Sequence, residues 1–424
     1  ELDRLRGDVR FTESDLEANN VQAVLRGEPV RLDLDLAGRE GRRELRVQLQ
    51  GRLSLPALLG EPAVALEPYL AGRSAWEAVL TVPTHRREQR NAPAFTLGLD
   101  SDLRGAAVRL PAPLGKATGE ARPLRISLYP SGRETGLSLA LEYGPAVRAA
   151  LELEDFPRQP RLARGELRIG AGPAKLPDAP GLVVFANLPR WSPHIPVGPS
   201  DTNDSVASSA RRRAAAAADA EPKTAEFWRV LRGVEARIGE LVIGGRSFSG
   251  VTLRAVREQD GMRVQLDGEA LAGRVTVPDK PTPRRPVNAA LQRLHVGRAV
   301  DEASGRAPFA QIDPRRLPPL VLTAAELRVN EATLGRLRLI AMPRPDGIRL
   351  TELDLNSERQ RIDASGEWWW TGGGQASRLQ ATLRSQALGE TLAAFGYPGS
   401  CVDRECQLVV GAGGEAGERG RAFT

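Results

Sequence analysis

Residues that usually carry chemistry are scarce in this chain of 424 residues. The three histidines, His85, His194 and His295, stand far apart. The two cysteines, Cys401 and Cys406, form a lone C-x4-C pair, so no spaced Cys/His set supplies four zinc ligands. A disulfide between them in an oxidising compartment and two free thiols are both open. There is no Gly-x-Ser-x-Gly elbow, no P-loop and no His-Glu-x-x-His, which removes the commonest hydrolase, nucleotide and metalloprotease signatures. No run approaches the roughly 18 apolar residues of a membrane span. Aromatic residues make up 4% of the chain, so any core rests on Leu, Val, Ala and Ile. The chain opens at "ELDRLRGDVRF" without methionine, and we expect a targeting segment upstream.

Arginine, glycine and proline are abundant. Net charge is +6, and only Lys116, Lys175, Lys223 and Lys280 are lysines. The arginines alternate with acids, as in "VRLDLDLAGREGRRELRVQLQG". That is a solvated strand face and not a basic stripe, so nucleic acid is not an expected partner. The 43 glycines and 32 prolines suit many short strands and turns better than long helices. Period-2 alternation runs through "VRLDLDLA", "LRISLYP", "GLSLALEY", "MRVQLDG" and "IRLTELDL" and predicts antiparallel sheet with one apolar and one solvated face. An ungapped repeat sets "ELVIGGRSFSGVTLRAVREQDGMRV", from Glu240, against "ELRVNEATLGRLRLIAMPRPDGIRL", from Glu326, with an Asp-Gly hairpin signal in each at Asp260 and Asp346. These patterns predict a mostly β fold. It would be an elongated antiparallel β-sheet of repeated hairpin units with few short helices; these patterns leave open whether that sheet is twisted and curled into a hydrophobic groove. The expected divisions are a β-repeat region over 1–190, a low-complexity loop over 191–226, a second β-repeat region over 227–410 and an irregular tail over 411–424.

Alternation alone also allows two sheets packed face to face, because both arrangements turn leucines inward. Acidic residues such as Asp33, Asp35, Asp354 and Asp363 alternate with apolar ones and read as solvated strand face, not as a glycosidase pair. The triplet Trp368, Trp369 and Trp370 could be a sugar platform or a strand end beside the "TGGG" turn. In the phase of Ile362, Ala364 and Gly366, Trp368 and Trp370 share the apolar face and Trp369 points the other way. No catalytic residue, metal site or cofactor is expected.

Several segments resemble the large AsmA-like proteins of the YhdP family. "SDLRGAAVRLPAPLGKATGEARPLRISL" from Ser101 is similar to its Ser-Asp-Leu-x-Gly and Leu-Pro-x-Pro-Leu-Gly-Lys signature. "AGRSAWEAVLTVP" from Ala71 is similar to its Gly-x-x-x-Trp strand, and "QIDPRRLPPLVLTAAELRV" from Gln311 to its Asp-Pro-x-x-Leu-Pro segment. The stretch from Leu334 through "ASGEWWW" to Ser400 resembles its C-terminal block. The resemblance implies a twisted sheet curled into a hydrophobic groove, in a non-enzymatic periplasmic segment tethered to the inner membrane by an upstream anchor. It would carry phospholipid along a hydrophobic β-groove towards the outer membrane and support the permeability barrier there. The implied partners are phospholipid acyl chains, the inner membrane and an outer-membrane or periplasmic protein. A structural scaffold of the envelope that conducts no lipid is the alternative. The expected groove lining is Leu241, Ile243, Val251, Leu253, Leu327, Val329, Leu337, Leu339, Ile348, Leu350, Trp368 and Trp370. After "CVDRECQLVV" the chain departs from the family pattern.

Overall fold

The computed structural model describes residues 2–12, 15–39, 42–54, 57–58, 69–84, 93–110, 113–132, 135–156, 160–170, 172–192, 230–297, 313–330, 332–371, 374–385, 406–415 and 421–423. Residues 193–226 of the expected loop, and any pairing of Cys401 with Cys406, lie outside the described residues. The chain forms two compact units, Glu1–Phe185 and Ala186–Thr424.

In the first unit β1 (Leu2–Arg6) and β2 (Val9–Phe11) both pair with β3 (Leu16–Leu25). β4 (Glu28–Arg39) and β5 (Arg42–Leu53) follow as antiparallel neighbours. β6 (Leu70–Gly72) leaves this sheet, and β7 (Ser74–Pro83) rejoins it beside β5. β8 (Thr96–Ser101) pairs with β7. β9 (Ala106–Val108) pairs with β6 as a separate two-stranded sheet. β10 (Leu124–Pro130), β11 (Leu137–Tyr143), β12 (Val147–Glu154) and β13 (Arg161–Ile169) then extend the main sheet from β8. β14 (Gly181–Trp191) contains the division between the units.

The second unit runs β15 (Leu231–Ile243), β16 (Arg246–Glu258), β17 (Gly261–Asp267), β18 (Leu271–Pro278) and β19 (Val287–Val296), each antiparallel to the one before. β20 (Leu320–Val329) lies parallel to β19. β21 (Ala332–Arg344), β22 (Gly347–Asn356), β23 (Gln360–Thr371), β24 (Gly374–Ser385), β25 (Cys406–Glu415) and β26 (Arg421–Phe423) continue antiparallel. In each unit the strands are mostly antiparallel and the sheet is not closed into a barrel. Helix is a minor component, as expected. Among the described residues neither unit forms a face-to-face sandwich, since successive strands within each add sideways to one another. Pairing also runs past Val410 into the stretch expected to be irregular. No side-chain alternation is needed there, because backbone hydrogen bonds from β25 to the edge of β24, and from β26 to β25, are enough.

The sequence repeat is a structural repeat. β16 and β21 begin and end at repeat-equivalent residues, and β17 and β22 start on the equivalent glycines Gly261 and Gly347. Both glycines are fixed by close approach: a Cβ on Gly261 would strike the carbonyl oxygen of Val277, and one on Gly347 that of Trp368. The Asp-Gly turn therefore brings the next two strands close enough to share one backbone ladder.

Candidate functional site

Register, more than any single pocket, defines the site. In the second unit the cross-strand partners form an unbroken row perpendicular to the strands: Ala236, Leu253, Leu266, Gly273, Leu291, Ala324, Leu337, Leu355, Ile362 and Leu383. Beside it runs a second row through Ala255, Val264, Val275, Ala289, Leu322, Leu339, Leu353, Ala364 and Ala381. The first row is mostly buried, while most of the second is only half-buried. Residues of both rows pack into one apolar cluster, those of the first row mostly as buried members and those of the second as half-buried ones. Each buried Leu or Ile contributes about 1.5–3 kcal/mol. An equivalent row crosses the first unit through Val21, Leu32, Leu49, Ala78, Leu99, Ile126, Leu141 and Ala149.

Two phase slips keep these rows continuous. Between Leu350 and Leu353 the register with β23 shifts, so Ile348 and Leu350 share a face with Leu353 and Leu355 although their spacing is odd. β21 and β22 absorb the same slip between Ile340 and Ala341.

The opposite face is polar and ion-paired across strands. Arg338 meets Glu352 at 2.9 Å, and Arg349 meets Glu367 at 2.9 Å. Asp354 and Asp363 are register partners, and Arg361 bridges them at 3.3 and 3.2 Å. Their proximity is that of a shared ion pair on a solvated surface. Asp33 accepts the backbone N–H of Asn20 at 2.6 Å. These exposed pairs are screened by solvent and keep this face wet.

The structure brings seven of the twelve expected lining residues into one packed cluster: Leu241, Val251, Leu253, Leu327, Val329, Leu337 and Leu339. Ile348 is buried beside Trp368 in register, and Leu350 pairs with Gly366. Ile243 stands at a hairpin end and is 37% exposed. Trp368 and Trp370 lie on the apolar side by register; the indole N–H of Trp368 donates to Gln375 Oε1 at 3.3 Å, and the Arg315 guanidinium lies 5.0 Å from the Trp370 ring centroid. Sequence reasoning placed Ile362 on the apolar face without naming it as lining, and missed Leu266, Leu291, Leu355 and Leu383. It also missed the turn Asp313–Leu317, which packs on β22 and β23. Aspartate before proline at the first helical position is a helix-start signal that could have located it.

Asp313 ties this turn down. Its carboxylate accepts Arg315 N–H at 3.0 Å and the Arg315 side chain at 3.0 and 2.9 Å. The side-chain bond from Arg315 is the main reason its pKa lies below the ordinary value of 3.8, outweighing burial, with the Arg315 backbone N–H adding to it. The folded form thus holds the carboxylate more strongly than the unfolded chain does. Its stabilisation is complete above the unfolded value of 3.8 and is lost as pH falls through the lowered folded value. We expect tryptophan emission to change in that acid range as the turn releases Trp370. In Asp313→Asn, or with Trp370→Phe, this acid step should be missing from the fluorescence titration.

A sheet not closed into a barrel, with continuous apolar rows on one face and an ion-paired ladder on the other, defines a β-repeat protein. The chain belongs to the YhdP protein family, whose model matches residues 1–409. This is a family of bacterial envelope proteins with no known enzymatic activity. No curated protein and no solved structure matches the chain. Among the described residues no helix is long and apolar enough to cross a membrane.

Proposed function

We propose that this chain is a non-enzymatic lipid-carrying segment of an envelope protein. Its apolar rows hold phospholipid acyl chains in the periplasm, on a path between inner and outer membrane that supports the outer-membrane permeability barrier. An anchor upstream would tether it to the inner membrane, and an outer-membrane or periplasmic protein would receive it. The observation that carries this reading is the lateral continuity of the two rows from β15 to β24. Each methylene laid on such a surface contributes about 0.8 kcal/mol. Repetition of small aliphatic residues keeps the binding free energy similar from one position to the next, which transfer along a track requires.

The half-buried row is where a ligand would lie, because the fully buried row is already packed. Mass spectrometry of the purified chain should find phospholipid copurifying near one or more molecules per chain, and Leu339→Glu or Leu353→Glu, both in the half-buried row, should remove it without unfolding the sheet. Absence of lipid from the wild-type chain, with no barrier defect in cells carrying either variant, would sink this reading. The scaffold reading would then stand, and burial of Leu266, Leu291, Leu337 and Leu355 is the observation that favours it.

A further inference from the structure

Because β19 and β20 are parallel, the chain must cross back between them, and it arrives at β20 through the turn Asp313–Leu317. This turn carries more charge than its own anchoring uses. Asp313 is 2% exposed and holds the Nε and Nη2 groups of Arg315 in a fork. The same guanidinium stacks over Trp370, on the apolar side of the sheet, with 38% of its side chain exposed. Among the described residues the fork leaves the Arg315 Nη1 group free to donate. Arg316 follows immediately, comes no closer to Asp313 than 3.9 Å and has 59% of its side chain exposed. One buried carboxylate therefore serves two guanidinium groups, leaving an excess positive charge at the strand ends where Trp368 and Trp370 lie.

We propose that Arg315 and Arg316 form a phosphate subsite that takes the phosphodiester of a phospholipid whose acyl chains lie on the neighbouring rows. This rests on the lipid-carrying reading above and adds head-group recognition to it. A chain on the apolar face must leave its charged head in water at a strand end. A planar, pre-oriented guanidinium with an unused donor group matches phosphate oxygens well, and a second arginine adds charge-assisted bonds. The Trp370 ring fixes Arg315 in advance, so little side-chain freedom is lost on binding. A free phosphate ion presents the same chemistry, and the test separates the two.

The experiment uses the whole chain and three probes: a short-chain phosphatidylglycerol below its micellar concentration, the chain-matched diacylglycerol, and inorganic phosphate. Arg316→Glu should weaken the phospholipid about tenfold, the worth of one charge-assisted bond. Diacylglycerol binding and the thermal melt should not change. Arg315→Lys keeps the charge but loses the fork, and should also weaken the phospholipid selectively. Equal weakening of both lipids, or of neither, overturns the subsite. Displacement of the phospholipid by inorganic phosphate at equal concentration overturns the lipid as its ligand and reassigns the site to free phosphate. If the wild-type chain binds neither lipid, the lipid-carrying reading fails by itself, and phosphate binding that Arg316→Glu abolishes would show the subsite standing without it.

Discussion

Leu337→Glu should unfold the second unit under conditions in which Leu339→Glu leaves it folded. The two leucines are neighbours on one face of β21 and differ in what surrounds them. Leu337 is 7% exposed and sits between Ala324 and Leu355 in the packed row. Leu339 lies between Leu322 and Leu353 in the half-buried row. A carboxylate at position 337 loses the transfer free energy of leucine and meets only the aliphatic side chains of Ala324 and Leu355 directly across the strands. The combined cost is about 4 kcal/mol or more, comparable with the whole stability of many domains. At position 339 water can still reach the group, and a cost of about 1–2 kcal/mol is expected. Denaturant titration reads the first difference, and lipid copurification the second: Leu339→Glu should be folded and lipid-free. If both variants unfold alike, the two rows form one closed core. If both stay folded, the first row is not the structural spine that its burial indicates.

Much of this was legible in the sequence because alternation and register obey the same period of two. The repeat beginning at Glu240 and Glu326 located matching hairpins to the residue, and Asp-Gly marked the turns before β17 and β22. Even the slip inside "IRLTELDL" was visible, since Ile348 and Leu350 are out of phase with Leu353 and Leu355. A bulge was needed to see that all four face one way. The parallel pairing of β19 with β20 was not legible, because alternation carries no strand direction. Nor was the difference in burial between the two rows, since alternation assigns a face and not a depth. The Asp-Pro-x-x-Leu-Pro segment was noticed only as a resemblance. Its physical content, a buried N-cap carboxylate anchoring an arginine over Trp370, required the fold to bring residues 313–316 against β23.

The Leu-Gly-Lys segment has a similar content in the first unit, and Lys116→Met should cost that unit about 2–4 kcal/mol. Lys116 is buried, and its ammonium donates to three carbonyl oxygens: Leu103 at 2.8 Å, Ala106 at 2.5 Å and Ala117 at 3.0 Å. Its backbone exchanges two hydrogen bonds with Val108, joining it to the small sheet of β6 and β9. Leu103 packs into the first unit's apolar cluster, and the Tyr143 hydroxyl donates to Leu114 O at 2.9 Å. One side chain therefore closes the whole excursion between β8 and β10 over the strand ends. Methionine would fill the volume but leave three acceptors without their donor, each worth about 1–3 kcal/mol when buried, less what water recovers. Burial is the main cause that pushes the Lys116 ammonium below its ordinary value of 10.5. The proton is thus held more weakly in the folded state, so stability should rise with pH from the lowered folded value up to 10.5. That slope should vanish in Lys116→Met. Amide exchange should show Gly105, Val108 and Arg122 losing protection in the variant while the amides of β8 and β10 keep theirs. Loss of protection in the strands at the same rate would mean that the excursion and the sheet unfold as one body, and that Lys116 closes nothing separable.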